Sequence, residues 1–310
     1  MFKKCFIFGV LTACVVHLCA AKVLIITHSY NRPDFIEIQS VMFKRFMQDE
    51  YEFVVFSDAR DLGVDKEIKE TCIRSGVTYM RIPQEIHARP YLKREPGDPL
   101  HRPNIRHANV VQYSMDVLGF NHDGPVLVLD SDMFLVRPLS VVAELQDYHI
   151  AACMRGTEPN IDYLWPGFMI FAMDRLPNKR TLNFNCGRVN GASVDSGGHT
   201  HYYLKNNAQL KLKKVEEHFG GYELFCPDRH MPMNAIDKVV PVAQQLEKLK
   251  KLGFNEKEIK FLQKKPDTIE FLCKNSFFHY RAATNYDNQS VSYDKQKMAL
   301  IREFFQDILV

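Results

Sequence analysis

An α/β fold built on a mainly parallel sheet flanked by helices is predicted by two observations. Short apolar runs alternate with segments of helical spacing through the first half of the chain, the pattern of successive strand–helix–strand units. One run, Val126 to Leu129, follows Gly124-Pro125 and ends abruptly in Asp130-Ser131-Asp132, as a strand buried on both faces would. Open sheets of this kind bind ligands outside the carboxyl ends of their strands. Two close carboxylates repel each other, and a hard divalent cation such as Mg²⁺ or Mn²⁺ relieves that repulsion. A polar turn is the plainer alternative, because Asp is a common turn residue.

The elements follow in order. Lys3 and Lys4 precede a mostly apolar stretch, Phe6 to Val16, and then Cys19-Ala20-Ala21. A basic start, a short apolar region and small residues describe a secretory signal over residues 1–21, cut near Ala20 or Ala21. The stretch is short for a bilayer span, although left uncleaved it would tether the chain to a membrane. Export to a periplasm, a secretory lumen or the cell exterior is the expectation. Lys22 to Thr27 reads as the first strand, and His28 to Pro33 as the loop after it. Asp34 is placed to cap a helix through Phe35, Ile38, Val41, Met42 and Phe46. Tyr51 to Phe56 is a second strand, Asp65 to Ser75 a helix stopped by Gly76, and Val77 to Ile82 a third strand.

Pro83 to Arg106 carries five prolines and no periodicity, a length of loop that is uncommon unless it serves function. A helix from Asn104 to Leu118 leads into the Asp130 strand, and further strands are expected near His149 to Met154 and Phe168 to Ala172. Turn-rich Asn183 to Gly198 precedes a helix from Thr200 to Leu204. Gln244 to Lys265 is lysine-heavy and helical, broken at Gly253, and reads as a solvated face. A strand over Ser276 to Tyr280 and an amphipathic helix near Asp294 to Leu309 finish the chain. No internal repeat or linker appears, so 22–310 reads as one domain.

Composition narrows the function. A chain of 310 residues with 46% hydrophobic and 25% charged residues can bury a large core. A net charge of +3 and the lack of a basic, aromatic-interleaved array give no reason to invoke nucleic acid. Of eight cysteines, three lie in the signal; Cys72, Cys153, Cys186, Cys226 and Cys273 are widely spaced, with no C-x-x-C pair to suggest zinc. One or two disulfides or buried thiols fit equally.

A first strand at residue 22, βα alternation and a strand ending in Asp130-Ser131-Asp132 together resemble the GT-A family of nucleotide-sugar glycosyltransferases, whose D-x-D follows such a strand. Trp165-Pro166-Gly167-Phe168, Phe184-Asn185-Cys186-Gly187 and Asp195-Ser196-Gly197-Gly198 look like the acceptor-side and sugar-side loops of such enzymes, and Phe278-His279-Tyr280-Arg281 like their C-terminal metal or diphosphate element. The resemblance implies a GT-A-like, Rossmann-like domain with a nucleotide-binding half over 22–135 and an acceptor-side half over 136–310. It implies transfer from a UDP- or GDP-linked sugar to a hydroxyl of a glycan, lipid or protein, with Mn²⁺ or Mg²⁺ neutralising the leaving diphosphate.

Residue roles follow from the resemblance. Asp132 is the better metal ligand, Asp130 binds the ion or the donor sugar, and His279 completes the coordination or fills a satisfied core site. Arg106 and Arg281 are donor-binding candidates, since a guanidinium grips phosphate bidentately, with a surface salt bridge as the competing role. His28, Tyr30 and Asn31 stand where the nucleoside half of a donor binds, and Asp58 is placed to accept from a base N–H. Asp195 is the candidate general base, beside glycines that let backbone approach a sugar, with positioning of a donor hydroxyl or organising a tight turn as its alternatives. Trp165 is placed to stack on an acceptor ring or to pack in the core. Two rivals remain: a HAD-like Mg²⁺-dependent phosphohydrolase, disfavoured by Phe134 after the D-x-D, and an exported sugar-binding protein without turnover.

Overall fold

The computed structural model describes residues 22–88, 102–156, 160–219, 243–264, 269–280, 299 and 301–306. The expected signal segment, Arg281 and most of the proline-rich passage lie outside these residues.

The first strand, β1 (Val23–Ser29), is buried along its whole length, and helix α1 (Pro33–Phe46) follows it. Pro33 starts that helix because the missing amide is one that needs no partner there. Asp34 is not the cap: it lies inside the first turn, pairing with Arg32 at 2.8 Å where the helix dipole favours an anion. After β2 (Tyr51–Ser57) comes α2 (Leu62–Ser75). It begins three residues earlier than Asp65, because the Asp61 carboxylate accepts from the Val64 amide and caps it. Gly76, at φ +68°, ends it as expected. Next come β3 (Thr78–Arg81), α3 (Gln84–Ala88), α4 (Arg102–Val117), β4 (Pro125–Asp130) and β5 (Met133–Leu135). Helix α5 (Val141–Leu145) precedes β6 (Ile150–Gly156) and β7 (Asp162–Ala172).

A small hairpin, β8 (Gly187–Val189) and β9 (Ala192–Val194), lies within the expected turn region. Then follow α6 (Thr200–Asn206), β10 (Leu212–Lys214), β11 (Glu217–Phe219), α7 (Ala243–Lys251), α8 (Glu256–Lys264), β12 (Ile269–Leu272) and β13 (Phe277–Tyr280). The break between α7 and α8 falls at Gly253, φ +84°. The apolar residues of the pair, Leu249, Phe254, Phe261 and Leu262, are buried, so the lysines form the outer face.

Seven strands form the main sheet in the order β10-β6-β7-β4-β1-β2-β3. Pairing is parallel except on the two sides of β7, which runs against both β4 and β6. The sheet is therefore mainly parallel, and it runs across residue 135, the boundary expected between two halves. Alternate residues of β1 and β4 serve opposite faces: Val23, Ile25, Leu127 and Leu129 pack on one side, Leu24, Ile26, Val126 and Val128 on the other. A strand covered on both faces reads as an unbroken apolar run. The expected strand began at Phe168, whereas β7 starts at Asp162 and runs through Pro166. Register with β6 shifts between Ala152 and Met154, and Pro166 sits opposite that irregularity, where no ladder bond is lost.

A second, antiparallel sheet has the order β11-β12-β13-β5. Its core is aromatic: Phe278 is fully buried and stacks on Phe304 with centroids 4.5 Å apart, while Phe134, Phe271 and Phe305 surround it. Cys72, Cys153 and Cys273 are buried free thiols, as the thiol alternative required. Phe278→Ala should lower unfolding free energy by about 3–5 kcal/mol, the range for emptying an aromatic site in a packed core. Urea denaturation followed by circular dichroism measures it; a loss under 1 kcal/mol would mean that this cluster does not hold the second sheet.

Candidate metal and active site

Strand β4 ends at Asp130, and the chain turns over Ser131-Asp132 directly into β5. The turn is braced from α1, where the buried Gln39 side chain donates to the carbonyls of Asp130 (3.2 Å) and Met133 (2.9 Å). Strand β13 then pairs with β5 so that His279 stands opposite Met133, and the Tyr280 amide donates to the Asp132 carbonyl at 3.1 Å. Carboxylates and imidazole thereby converge: one ligand atom each from Asp130, Asp132 and His279 lies within 4.8 Å of the others. Two hard oxygens and one imidazole suit Mn²⁺ or Mg²⁺ and leave room for phosphate oxygens.

Asp132 and His279 are buried, with Nε2 of the imidazole 3.5 Å from Asp132 Oδ1. On its far side, His279 Nδ1 meets Glu270 Oε2 at 2.7 Å, and Glu270 is 1% exposed. A carboxylate behind a metal-binding histidine fixes the ring's tautomer and aims its other nitrogen. Burial works to lower His279, but Glu270 and Asp132 outweigh it and push the imidazole up to about 10. Asp130 is half-exposed and faces a different imidazole, His107 Nε2, at 3.1 Å. Burial tends to raise the Asp130 carboxyl, yet His107, then His279, hold it below the usual range. The carboxylate repulsion anticipated from the D-x-D is thus answered by a histidine on each aspartate.

Asp195 is exposed and opens the turn before α6, its Oδ1 accepting from the Ser196 amide at 2.7 Å. Ser196 Oγ lies 3.0 Å from His107 Nδ1, so Asp195 neighbours the metal cluster. The glycines that follow lie close against their own chain. Gly197 adopts φ +85° with Leu164 O and Pro166 where a side chain would be, and Val194 fills that space at Gly198. They let the turn lie against β7 and β9. The Phe184–Gly187 segment packs on the same turn, its Phe184 and Asn185 carbonyls accepting from Gly197 and His199. Trp165 is half-buried, folded across Gly167, with its ring 5.5 Å from that of His279. The Arg155 guanidinium covers the indole at 4.3 Å while pairing with Glu217 at 2.6 Å.

The residues at the ends of β1 and β2 form a different arrangement. Asn31 is exposed in the loop after β1. His28 stands beside Asp130 in the β1–β4 register but is 7% exposed, its Nε2 2.9 Å from Ser114 Oγ. Burial, then His107, drive it down to about 3, so it is a neutral ring. Arg106 and Asp58, 4% and 1% exposed, form a buried ion pair at 2.7 Å, and the Tyr30 ring lies 4.2 Å under the guanidinium. Arg106 also donates to the Asp58 carbonyl. Burial pushes the Asp58 carboxyl up to about 6 even against that guanidinium. The surface salt bridge weighed for Arg106 is instead a buried one.

No protein-family model matches the sequence, and no curated protein matches it. Among solved structures, the chain is similar to glucosyl-3-phosphoglycerate synthase from Mycobacterium tuberculosis in complex with Mn²⁺, uridine diphosphate and glucosyl-3-phosphoglycerate. Identity is 15%, covering 63% of this chain and 69% of that one, with a TM-score of 0.39. It is also similar to a mannosyltransferase from Pyrobaculum calidifontis in complex with GDP-mannose and Mn²⁺, at 13% identity, covering 63% and 55%, with a TM-score of 0.39. A galactosyltransferase in complex with donor and acceptor sugar analogues shares 11% identity over 62% and 72%, with a TM-score of 0.36. Likeness of this degree assigns neither family nor activity.

Sequence reasoning missed Glu270 and His107. Glu270 pairs directly with His279 across β12–β13, a cross-strand signal readable only once both strands and their register are known. His107 follows the flagged Arg106 on α4, and only the fold shows that it faces Asp130.

Glu270→Gln should weaken Mn²⁺ binding about 10–100-fold while Asp130 and Asp132 stay in place. Isothermal titration with Mn²⁺ measures this, and unchanged affinity would remove Glu270 from the site. For the buried pair, Asp58→Asn should lower stability by about 3–5 kcal/mol by stranding the Arg106 charge. The double replacement Asp58→Asn with Arg106→Met should recover part of that loss in urea titrations. No recovery would show that Arg106 is not held by Asp58.

Proposed function

We propose that this chain is a metal-dependent glycosyltransferase that moves a sugar from a UDP- or GDP-linked donor to a hydroxyl of a glycan, lipid or protein. The observation that carries the reading is the convergence of Asp130, Asp132 and His279 just beyond the carboxyl end of β4. That is where open α/β sheets receive nucleotides. Bound there, Mn²⁺ or Mg²⁺ would neutralise the charge that grows on the departing diphosphate. Asp132 and His279 hold the inner side of the site, both buried, and Asp130 holds the outer, half-exposed side. Asp195 is exposed one residue from the His107 contact, and its carboxylate is the proposed acceptor of the proton from an acceptor hydroxyl. Trp165 borders the metal cluster through His279 and offers an aromatic wall to an acceptor ring. Export directed by residues 1–21, or tethering if they are retained, belongs to the same reading and rests on their composition.

The test is a panel of UDP- and GDP-sugars incubated with and without Mn²⁺, with release of nucleoside diphosphate as the readout. One donor should turn over in a metal-dependent way. Asp132→Asn should abolish both turnover and thermal stabilisation by Mn²⁺ with nucleoside diphosphate. Asp195→Asn should keep that stabilisation while transfer falls about 100-fold or more. Hydrolysis of an aryl phosphate in place of any nucleotide sugar would favour the phosphohydrolase, and sugar binding without turnover a non-catalytic protein.

A further inference from the structure

His107 stands at the site, and the proposed reaction gives it no task. It projects from α4 with its side chain 20% exposed; Nδ1 is hydrogen-bonded, and Nε2 lies within ion-pair distance of a carboxylate without hydrogen-bond alignment. Nε2 is 3.1 Å from Asp130 Oδ1, and Nδ1 is 3.0 Å from Ser196 Oγ. The Ser196 hydroxyl in turn lies 3.3 Å from Asp195 Oδ1, the carboxylate that also accepts from the Ser196 amide. One imidazole therefore joins two pieces of chain that share no strand pairing: the end of β4 and the turn between β9 and α6.

An aspartate at a strand end turns about two side-chain bonds, and a cation site needs its oxygens held before the ion arrives. Gln39 and the Tyr280 amide brace the D-S-D turn through its backbone. His107 reaches the Asp130 carboxylate itself, at Oδ1. We infer that His107 is a positioning residue: through Nε2 it fixes the Asp130 carboxylate for a divalent cation, and through Nδ1 it ties that carboxylate to the turn that carries Asp195. This role rests on the reading of Asp130, Asp132 and His279 as a metal centre.

The two contacts can be separated by substitution, because a glutamine amide reaches close to the place of Nε2 and an asparagine amide close to that of Nδ1. Mn²⁺ affinity of the intact chain, read by electron paramagnetic resonance of the free ion, requires no donor and no turnover. His107→Gln should stay within about threefold of the parent, whereas His107→Asn and His107→Ala should lose about tenfold or more, as when a group supporting a metal ligand is removed. Thermal melts without metal should show all three variants folded, and an inert packing role would give Gln and Asn the same affinity. Equal affinity in all variants, or equal loss in Gln and Asn, overturns the positioning role while the metal centre stands. Absence of Mn²⁺ binding by the parent overturns the centre, and this role with it.

Discussion

The pairing of β13 on β5 is the constraint on which the site depends. Asp130 and Asp132 are local to one turn, but His279 arrives from far along the chain, and only the β5–β13 register sets it opposite Met133. A slip of one residue would turn the imidazole to the other face of the sheet and bring Phe278 or Tyr280 in its place. The register is held by burial: Phe278, on the face opposite His279, belongs to an aromatic cluster that includes Phe134 of β5 itself. Packing on one face of β13 thus aims the ligand on the other.

Electrostatics at the cluster follow from that placement. Two carboxylates this close would raise each other's proton affinity. Here His107 answers Asp130 and His279 answers Asp132, while Glu270 holds His279 from behind. Charges of both signs alternate through the cluster, so the arrangement is sustained by groups of the chain itself. The buried Arg106–Asp58 pair is a separate unit that ties α4 to the end of β2 and so fixes the helix from which His107 projects.

Much of the main sheet was legible because its strands are long and covered on both faces. β1, β2 and β4 each show as an apolar run, and Asp130 and Asp132 stand out because polar residues follow such a run without transition. The strands β5, β8, β9, β10 and β11 were not legible: three residues give no periodicity to recognise. β7 tolerates Pro166 because the rule against proline in a strand assumes a regular ladder, and β7 meets a shift in register there. His279 was found through a family resemblance, whereas Glu270 and His107 were not, because a supporting residue is defined by its neighbour in space. Gly197 and Gly198 were noticed for close approach, and their packing on β7 and β9 of the same chain shows only in the fold.

The late arrival of β13 also orders events during synthesis. Strands β1 to β4 and their helices leave the ribosome first and contain the whole D-S-D turn, so this part can begin to pack while the rest is still being made. The histidine ligand and its supporting glutamate emerge together, on the two arms of the β12–β13 hairpin. Until that hairpin is out, a nascent chain holds carboxylates without their imidazole. Assembly of all three candidate ligands is thereby deferred until that hairpin has emerged, when β5 gains β13 as its neighbour.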